Sequence, residues 1–269
     1  MKETIQVTKE ILTNLTIMNR LAINDLNAKN KGNILGILWL WINPAIQLLI
    51  YALVFGTGLR GSAPVENINF FSWLLPGFIV WMYINSVITT ASRSIVAKIN
   101  IVTKIKFPVS IVPGVVILSE LYMHILMLIT SVVILLFLGF SVNQFWIYII
   151  YFTFASTCLL LSVSIFNSAL TTIFRDYQHI VYNIMRTMFF ITPVLFPKET
   201  MKGEIMKIIL WLNPFTYLLE GYRDGLVFSR KTTFMSLEWG IYFWCIVIII
   251  YIIGCNLHVR MRRNLLDYI

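Results

Sequence analysis

The sequence predicts an all-α polytopic membrane protein with six transmembrane helices, and three observations predict it. Of its 269 residues, 58% are hydrophobic and only 12% charged, about half the roughly 25% that a water-facing surface needs. The apolar residues gather into runs long enough to cross about 30 Å of hydrocarbon. Lys and Arg collect between those runs, predominantly on one side of the bilayer. These features exclude a soluble enzyme and make residues 1–269 a single transmembrane domain.

The elements are taken in chain order. Residues 1–31 are predicted to form a cytoplasmic interfacial helix. Ile11, Leu12, Leu15, Met18 and Ala22 recur at helical spacing, while Lys9, Glu10, Asn14 and Arg20 occupy other faces. The stretch is too polar to cross, so it lies in the headgroup boundary or packs on another protein surface. The six-span bundle occupies 34–257. Five runs are continuous, at 34–55, 70–90, 109–137, 145–166 and 239–257. The remaining span, fifth in order, starts near Val181 and is cut short by Pro193 and Pro197, which bend or end a helix. A second apolar run at 205–212 predicts short external or re-entrant helices reaching to about Phe228. Irregular backbone at membrane depth survives only inside protein or beside water, so this region should border a cavity or a partner. Residues 258–269 form a cytoplasmic tail.

One internal echo stands out. Trp41-Ile42-Asn43-Pro44 resembles Trp211-Leu212-Asn213-Pro214. Both read as helix starts, because Asn caps an N-terminus and Pro fits the first turn. The echo is read as shared capping chemistry, not as an inverted repeat.

Six crossings place both termini on one side. Thirteen basic residues then fall with the termini and seven opposite, leaving net charges of +7 and +1, with Arg186 inside a span. The termini are therefore predicted to be cytoplasmic, and the overall charge of +9 requires no nucleic acid. Residues 1–12 are polar and mixed in charge, unlike a cleavable secretory signal. Cys158, Cys245 and Cys255 all lie in apolar stretches without metal-ligand spacing and read as packing residues.

No energy source is visible in the chain. Gly56 and Gly61 have phosphate-loop spacing, but Ser62 follows where Lys is required. Glu120 and His124 share a helix face and could form a proton relay or bond to one another. His179 and His258 lie at span ends and offer no triad or metal set. No enzyme activity, cofactor or metal is expected.

The cytoplasmic connections are more informative. Between spans two and three, Ile95, Ile99, Val102, Ile105 and Phe107 alternate with Lys98, Lys104 and Lys106, and Pro108 ends the stretch. Such a segment is either a short amphipathic helix that passes force to another protein or a basic loop near anionic lipid. The tight connection Phe174-Arg175-Asp176-Tyr177 combines aromatic residues with paired charge and suits a docking contact.

These residues carry a resemblance. Leu212-Asn213-Pro214-Phe215-Thr216-Tyr217 with Glu220-Gly221-Tyr222-Arg223-Asp224 resembles the closing motif of type-2 ABC exporter permeases, and Phe174-Arg175-Asp176-Tyr177 and Thr192-Pro193-Val194-Leu195-Phe196-Pro197 keep the family's order. The early pieces, from Gly36 to Trp39, Ile42 to Pro44, Tyr51 to Gly56, Phe71 to Leu75 and Lys104 to Pro113, are similar to the teichoic-acid translocation permeases of Gram-positive bacteria. The likeness covers residues 19–226. It implies a homodimer with two copies of a separate ABC ATPase that carries ATP and Mg. It also implies a coupling helix in which Lys98, Ile99, Val102, Lys104, Ile105 and Lys106 seat in an ATPase groove, with Arg175, Asp176 and Tyr177 as a second contact. The implied function is ATP-driven export of lipid-linked wall teichoic acid across a bacterial plasma membrane. Export of another lipid-linked polysaccharide, of O-antigen or capsule type, is the alternative, and an ion-driven carrier working alone is the rival.

An exported lipid-linked anionic polymer needs a corridor of weak contacts. Trp39, Trp41, Tyr51, Trp73, Trp81, Tyr83, Phe189 and Phe190 are the candidate aromatic walls, although Trp and Tyr also form interfacial belts. Arg186 either snorkels to the inner surface or contacts phosphate. Tyr217, Glu220, Tyr222 and Arg223, on the expected external helices, are candidates for an external gate.

Overall fold

The computed structural model describes residues 2–29, 35–59, 65, 67–99, 108–200, 203–230 and 237–263. Among them there is no β-strand. Four helices are long and apolar enough to cross a membrane, at Phe70–Ser92, Ile111–Phe137, Gln144–Ile173 and Glu238–Arg263. They match the expected spans two, three, four and six. The other two expected crossings are shorter helices.

The expected interfacial helix is two helices, α1 (Lys2–Thr13) and α2 (Leu15–Lys29). The expected apolar stripe is divided between two environments. Ile11, Met18 and Ala22, with Val7, are buried against Ile111, Val115, Ile165, Cys255 and Val259 of the bundle. Leu12 and Leu15 remain exposed. The packing is close: a Cβ at Gly114 would strike the terminal methyl of Met18. Polar pins complete the attachment. Thr8 bonds the Tyr251 hydroxyl at 2.8 Å, Tyr122 donates to Asn19, and Lys98 pairs with Asp25 at 2.6 Å. Glu10 receives Arg262 at 2.7 Å and Ser110 at 2.8 Å, and Ser110 also bonds His258 at 3.1 Å.

Next comes α3 (Trp39–Tyr51), entered through a 3-10 turn at Gly36–Leu38 and continued as a π-helix over Ala52–Leu59. Asn43-Pro44, expected to open a helix, lies inside α3 instead. Pro44 cannot bond the carbonyl four residues back. Apolar membrane helices tolerate that loss through local 3-10 and π adjustments, and α3 has one at each end.

At the centre stands α4 (Phe70–Ser92). Its most apolar stretch is 78% buried, against 28% for Ile111–Phe137 and 22% for Glu238–Arg263. Asn69 starts it by accepting the Phe71 amide at 3.0 Å. A single turn, α5 (Ser94–Ala97), follows. Of the expected coupling residues, Lys98 and Ile99 are described; Val102, Lys104, Ile105 and Lys106 lie outside the described residues.

Helix α6 (Ile111–Phe137) leads to α7 (Tyr148–Ile173), which runs seven residues past the expected end at Phe166. The extension is rich in small polar residues that would favour a turn elsewhere. Here Ser168 and Thr172 bond back to the carbonyls of Ile165 and Ser168, at 3.2 and 2.8 Å, and so satisfy themselves within the helix. Helix α8 (Tyr177–Ile191) is 15 residues long, about 22 Å at 1.5 Å per residue and short of the hydrocarbon thickness. It stops at Thr192, whose ψ of 142° is the extended geometry that a following proline imposes.

Two short helices follow, α9 (Glu204–Leu212) and α10 (Pro214–Arg223), the second continued as a π-turn over Asp224–Phe228. They differ in placement. On α9, Ile205 and Ile208 are exposed, whereas α10 is buried along its length from Thr216. Asn213 caps α10 by accepting the Phe215 amide at 2.9 Å, so the expected Asn-Pro helix start holds here. Finally α11 (Leu237–Arg263) packs against α7, where Gly254 meets the backbone of Phe166 so closely that a Cβ would approach it to 3.1 Å. Cys158 is half-buried, Cys245 exposed and Cys255 buried, all as free thiols.

The Glu10 node sets a pH prediction. Burial pushes its carboxyl up, but hydrogen bonds from Arg262, Ser110 and Gln6 prevail and hold it below the ordinary 4.5. A depressed carboxyl stabilises the fold above its ordinary value and loses that contribution as pH falls through the folded one. The protection factors of the α1 amides, taken relative to intrinsic exchange at each pH, should therefore fall as pH drops below about 4.5, while Glu10→Gln should show lowered protection at neutral pH and no acid step.

Candidate functional site

A groove of about 710 Å³ runs between α3, α4 and α8. Tyr51 enters it from α3, Trp81 from α4, and Arg186, Phe189 and Phe190 from α8, so five of the expected path residues share one surface. Their rings form a connected set. Tyr51 meets Phe78 at 5.6 Å between centroids and Phe189 at 5.5 Å, Trp81 meets Phe189 at 5.8 Å, and Phe189 meets Phe190 at 5.3 Å. Phe190 is exposed and Tyr51 and Phe189 are half-buried, so theirs are the rings open to a ligand, while the buried Phe78 and Trp81 back them.

The other candidates lie elsewhere. Trp39 lines an adjacent cavity together with Tyr83. Trp41 is half-buried and lines neither space. Trp73 is 2% exposed and lies beneath a guanidinium. Tyr83 is buried, stacked on His124 at 4.4 Å. Helical period explains the division. Phe78, Trp81, Asn85 and Thr89 recur every three or four residues on one face of α4, whereas Trp73 and Tyr83 fall on other faces.

The groove also holds polar residues that were not expected there. Gln47, Asn85, Ser86, Thr89 and Tyr182 supply amides and hydroxyls around Arg186. A signal for them existed: Gln47 and Tyr51 lie four apart, as do Asn85 and Thr89, each pair on one helix face. Arg186 is exposed, nine residues into α8, about 14 Å along the axis at 1.5 Å per residue. It is the cation of this wall.

At the opposite end of α8 the chain is locked. After Thr192 the backbone leaves the helix, so the carbonyls of Pro193 and Val194 need donors from elsewhere. Arg223, completely buried, supplies them at 2.5 and 3.0 Å, and also donates to the Trp73 carbonyl at 3.2 Å and to Glu220 at 2.9 Å. Its guanidinium carbon lies 3.7 Å above the Trp73 ring. Gly77 makes room, since any Cβ there would collide with the guanidinium. Glu220 is completed by Lys198 at 3.0 Å. Asn213 bonds Thr192 at 2.8 Å, so both ends of α10 grip the end of α8. Tyr217 bonds Tyr151 at 2.9 Å and Tyr222 bonds Thr153 at 2.7 Å, fixing α10 to α7. The four expected gate residues therefore form one buried knot, and Arg223, counted as an exposed external charge by the topology arithmetic, is inside it.

Arg175 and Asp176 are exposed on the turn between α7 and α8. Tyr177 is half-buried and donates its hydroxyl to Asn167 at 2.9 Å. Lys98 is occupied by Asp25. Among the described residues no group of three or more His, Cys, Asp or Glu could hold a metal ion.

Removing the guanidinium should be costly. Arg223→Met leaves Glu220 and three carbonyls without that donor, a loss on the order of 3 to 5 kcal/mol for a broken buried pair. It should lower the unfolding temperature of the detergent-solubilised protein strongly. Arg223→Lys, which keeps charge but not the fork, should fall between the two.

Residues 24–227 match the ABC-2 type transporter family. Among curated proteins, the O-antigen export system permease protein RfbA of Myxococcus xanthus is 29% identical over 231 residues, covering 81% of this chain and 83% of that protein. An O-antigen export system permease protein RfbA of Klebsiella pneumoniae is 29% identical over 205 residues, covering 74% and 76%. With the family match spanning most of its length and four membrane-crossing helices in its fold, this chain belongs to the ABC-2 type transporter family as a membrane-embedded permease.

Proposed function

We propose that the chain is the permease half of an ATP-driven exporter that moves a lipid-linked cell-envelope polysaccharide across the bacterial plasma membrane. The groove carries this reading. Ring faces and neutral amides hold sugars weakly enough to let them move on, and Arg186 offers a site for a phosphate of the lipid carrier. The names of the relatives, which export O-antigen, point to the same class of cargo.

In this reading two copies of the chain pair, and two ABC ATPase subunits dock below them and hold the ATP and Mg. The docking surface is the segment from Lys98 and Ile99 through Val102, Lys104, Ile105 and Lys106, with Arg175, Asp176 and Tyr177 beside it. Six crossings are completed by α3 with its π-helical continuation and by α8 with α9 and α10. The charge distribution puts both termini in the cytoplasm. The knot of Tyr217, Glu220, Tyr222 and Arg223 closes the outer end.

Wall teichoic acid is the narrower alternative, and it rests on the likeness of the early motifs. One cation among the described residues of the groove suits a glycan bearing a phosphate at its lipid end better than a polymer with phosphate in every unit. An ion-driven carrier is disfavoured, because Glu120 and His124 are each engaged with another helix, by Ser86 at 2.8 Å and Tyr222 at 3.1 Å.

Co-expression with the cognate ATPase in a strain lacking both should restore surface polymer, and an ATPase unable to hydrolyse ATP should not. Neutral sugar in that polymer supports the polysaccharide reading, and glycerol or ribitol phosphate supports teichoic acid. Reversing Arg175 and Asp176 together (Arg175→Glu, Asp176→Lys) should cut export at least tenfold while the permease still inserts. Transport by the purified chain without ATP would overturn the proposal.

A further inference from the structure

A second cavity, of about 210 Å³, lies on the other flank of α3, between α3, α4 and α6. Trp39 and Asn43 line it from α3, Tyr83 and Ser86 from α4, and Glu120 and His124 from α6. Met82 and Ser86 line both this cavity and the groove, so α4 forms a shared partition. The two spaces also share one stripe of α3. Trp39 and Asn43 face the cavity, Gln47 and Tyr51 face the groove, and all four recur at intervals of four residues. Helix α3 therefore straddles a single polar and aromatic seam.

The chemistry differs between the two sides of that seam. The groove has the Arg186 guanidinium; the cavity has the Glu120 carboxylate. Glu120 is only 8% exposed, nine residues into α6 and about 14 Å from its start at 1.5 Å per residue. An acid at that depth is expensive to place and marks function by default. Ser86 donates to it at 2.8 Å, and a carboxylate offers roughly four acceptor sites in all. It repels phosphate and accepts from hydroxyls.

The neighbouring side chains suit a ring that carries hydroxyls. Tyr83 is held in place by its stack on His124 and by Thr157 at 3.3 Å. Trp39, 38% exposed at the start of α3, offers an open ring face, and Asn43 offers both a donor and an acceptor. The volume accommodates one sugar unit and no more.

We infer that this cavity is a subsite for a single sugar ring of the exported glycan. Glu120 accepts hydrogen bonds from its hydroxyls and Trp39 covers one face, while a phosphate of the same molecule reaches Arg186 past Met82 and Ser86, which line both spaces. Ser86 acts as a positioning residue that orients the carboxylate. The inference rests on the polysaccharide-export reading, and it adds that the permease separates glycan-bearing lipid from bare lipid phosphate at this point.

The test uses the assembled complex with its ATPase subunits in phosphatidylglycerol nanodiscs. ATP hydrolysis is measured against two probes, a polyprenyl diphosphate bearing a short glycan and a bare polyprenyl phosphate. Glu120→Gln should raise the half-saturating concentration of the glycan probe about tenfold, as expected for one lost hydrogen bond to a charged group, and leave the bare probe unchanged. Arg186→Met should weaken both probes. Asn43→Ala changes an exposed position and leaves the buried core intact, and it should weaken the glycan probe severalfold. Equal loss on both probes with Glu120→Gln, or no loss on either, overturns the subsite. So does an effect that appears only when phosphatidylethanolamine is added, since the cavity would then hold an amine headgroup. A wild-type complex stimulated by neither probe removes the export reading itself, and the subsite falls with it. A stimulated wild type with an indifferent Glu120→Gln removes the subsite alone.

Discussion

The buried guanidinium of Arg223 is the contact on which the junction of α4, α8 and α10 depends. Pro193 ends α8 and leaves carbonyls without helical donors, and such groups cannot remain bare at membrane depth. Arg223 reaches them from α10, takes Glu220 as its counter-ion and lies flat on Trp73 of α4. One side chain thereby joins the central helix, the end of α8 and the buried outer helix. The arrangement explains three otherwise separate features of the sequence: a glycine at 77, a proline at 193 and a charged pair three residues apart at 220 and 223.

Beyond the end of α8 the contacts are polar. The hydrogen bonds of Arg223 form a buried network, which costs much to leave half-made. The helices α3 and α8 carry exposed apolar faces, with Leu49 and Ile50 on α3 and Ile180 and Ile184 on α8. Those faces suit lipid or a second copy. The knot and these helix faces thus offer different kinds of contact, hydrogen bonds in one and apolar surface in the other.

Much of this was legible in the sequence where the signal was local. Long apolar runs gave the starts of four long helices to within two residues, although two of those helices run six or seven residues further than expected through more polar sequence, and the Asn213-Pro214 cap is where its chemistry placed it. The same dipeptide at Asn43-Pro44 misled, because capping rules see two residues and not the continuous apolar helix around them. Tyr51, Trp81, Arg186, Phe189 and Phe190 came together as the residue types suggested, whereas Trp73 and Tyr83 were lost to helical phase. The burial of Arg223 was invisible, since charge counting assigns a basic residue between spans to a watery loop. Only its partners, contributed by Glu220 on its own helix and by two distant segments at Trp73 and Pro193-Val194, reveal otherwise. Of the amino-terminal stripe, Ile11, Met18 and Ala22 face protein instead of headgroups because α6 and α11 present apolar surface at that depth.

The fastenings of α1 and α2 carry a mechanical corollary. Lys98 is tied to Asp25 of α2, and Ser110 is tied to Glu10 of α1. Both fastenings therefore stand on the same helix pair, and Glu10 is bolted in turn to Arg262 at the far end of α11. Displacing α1 or α2 would therefore strain both fastenings at once and, through Arg262, the end of the last helix.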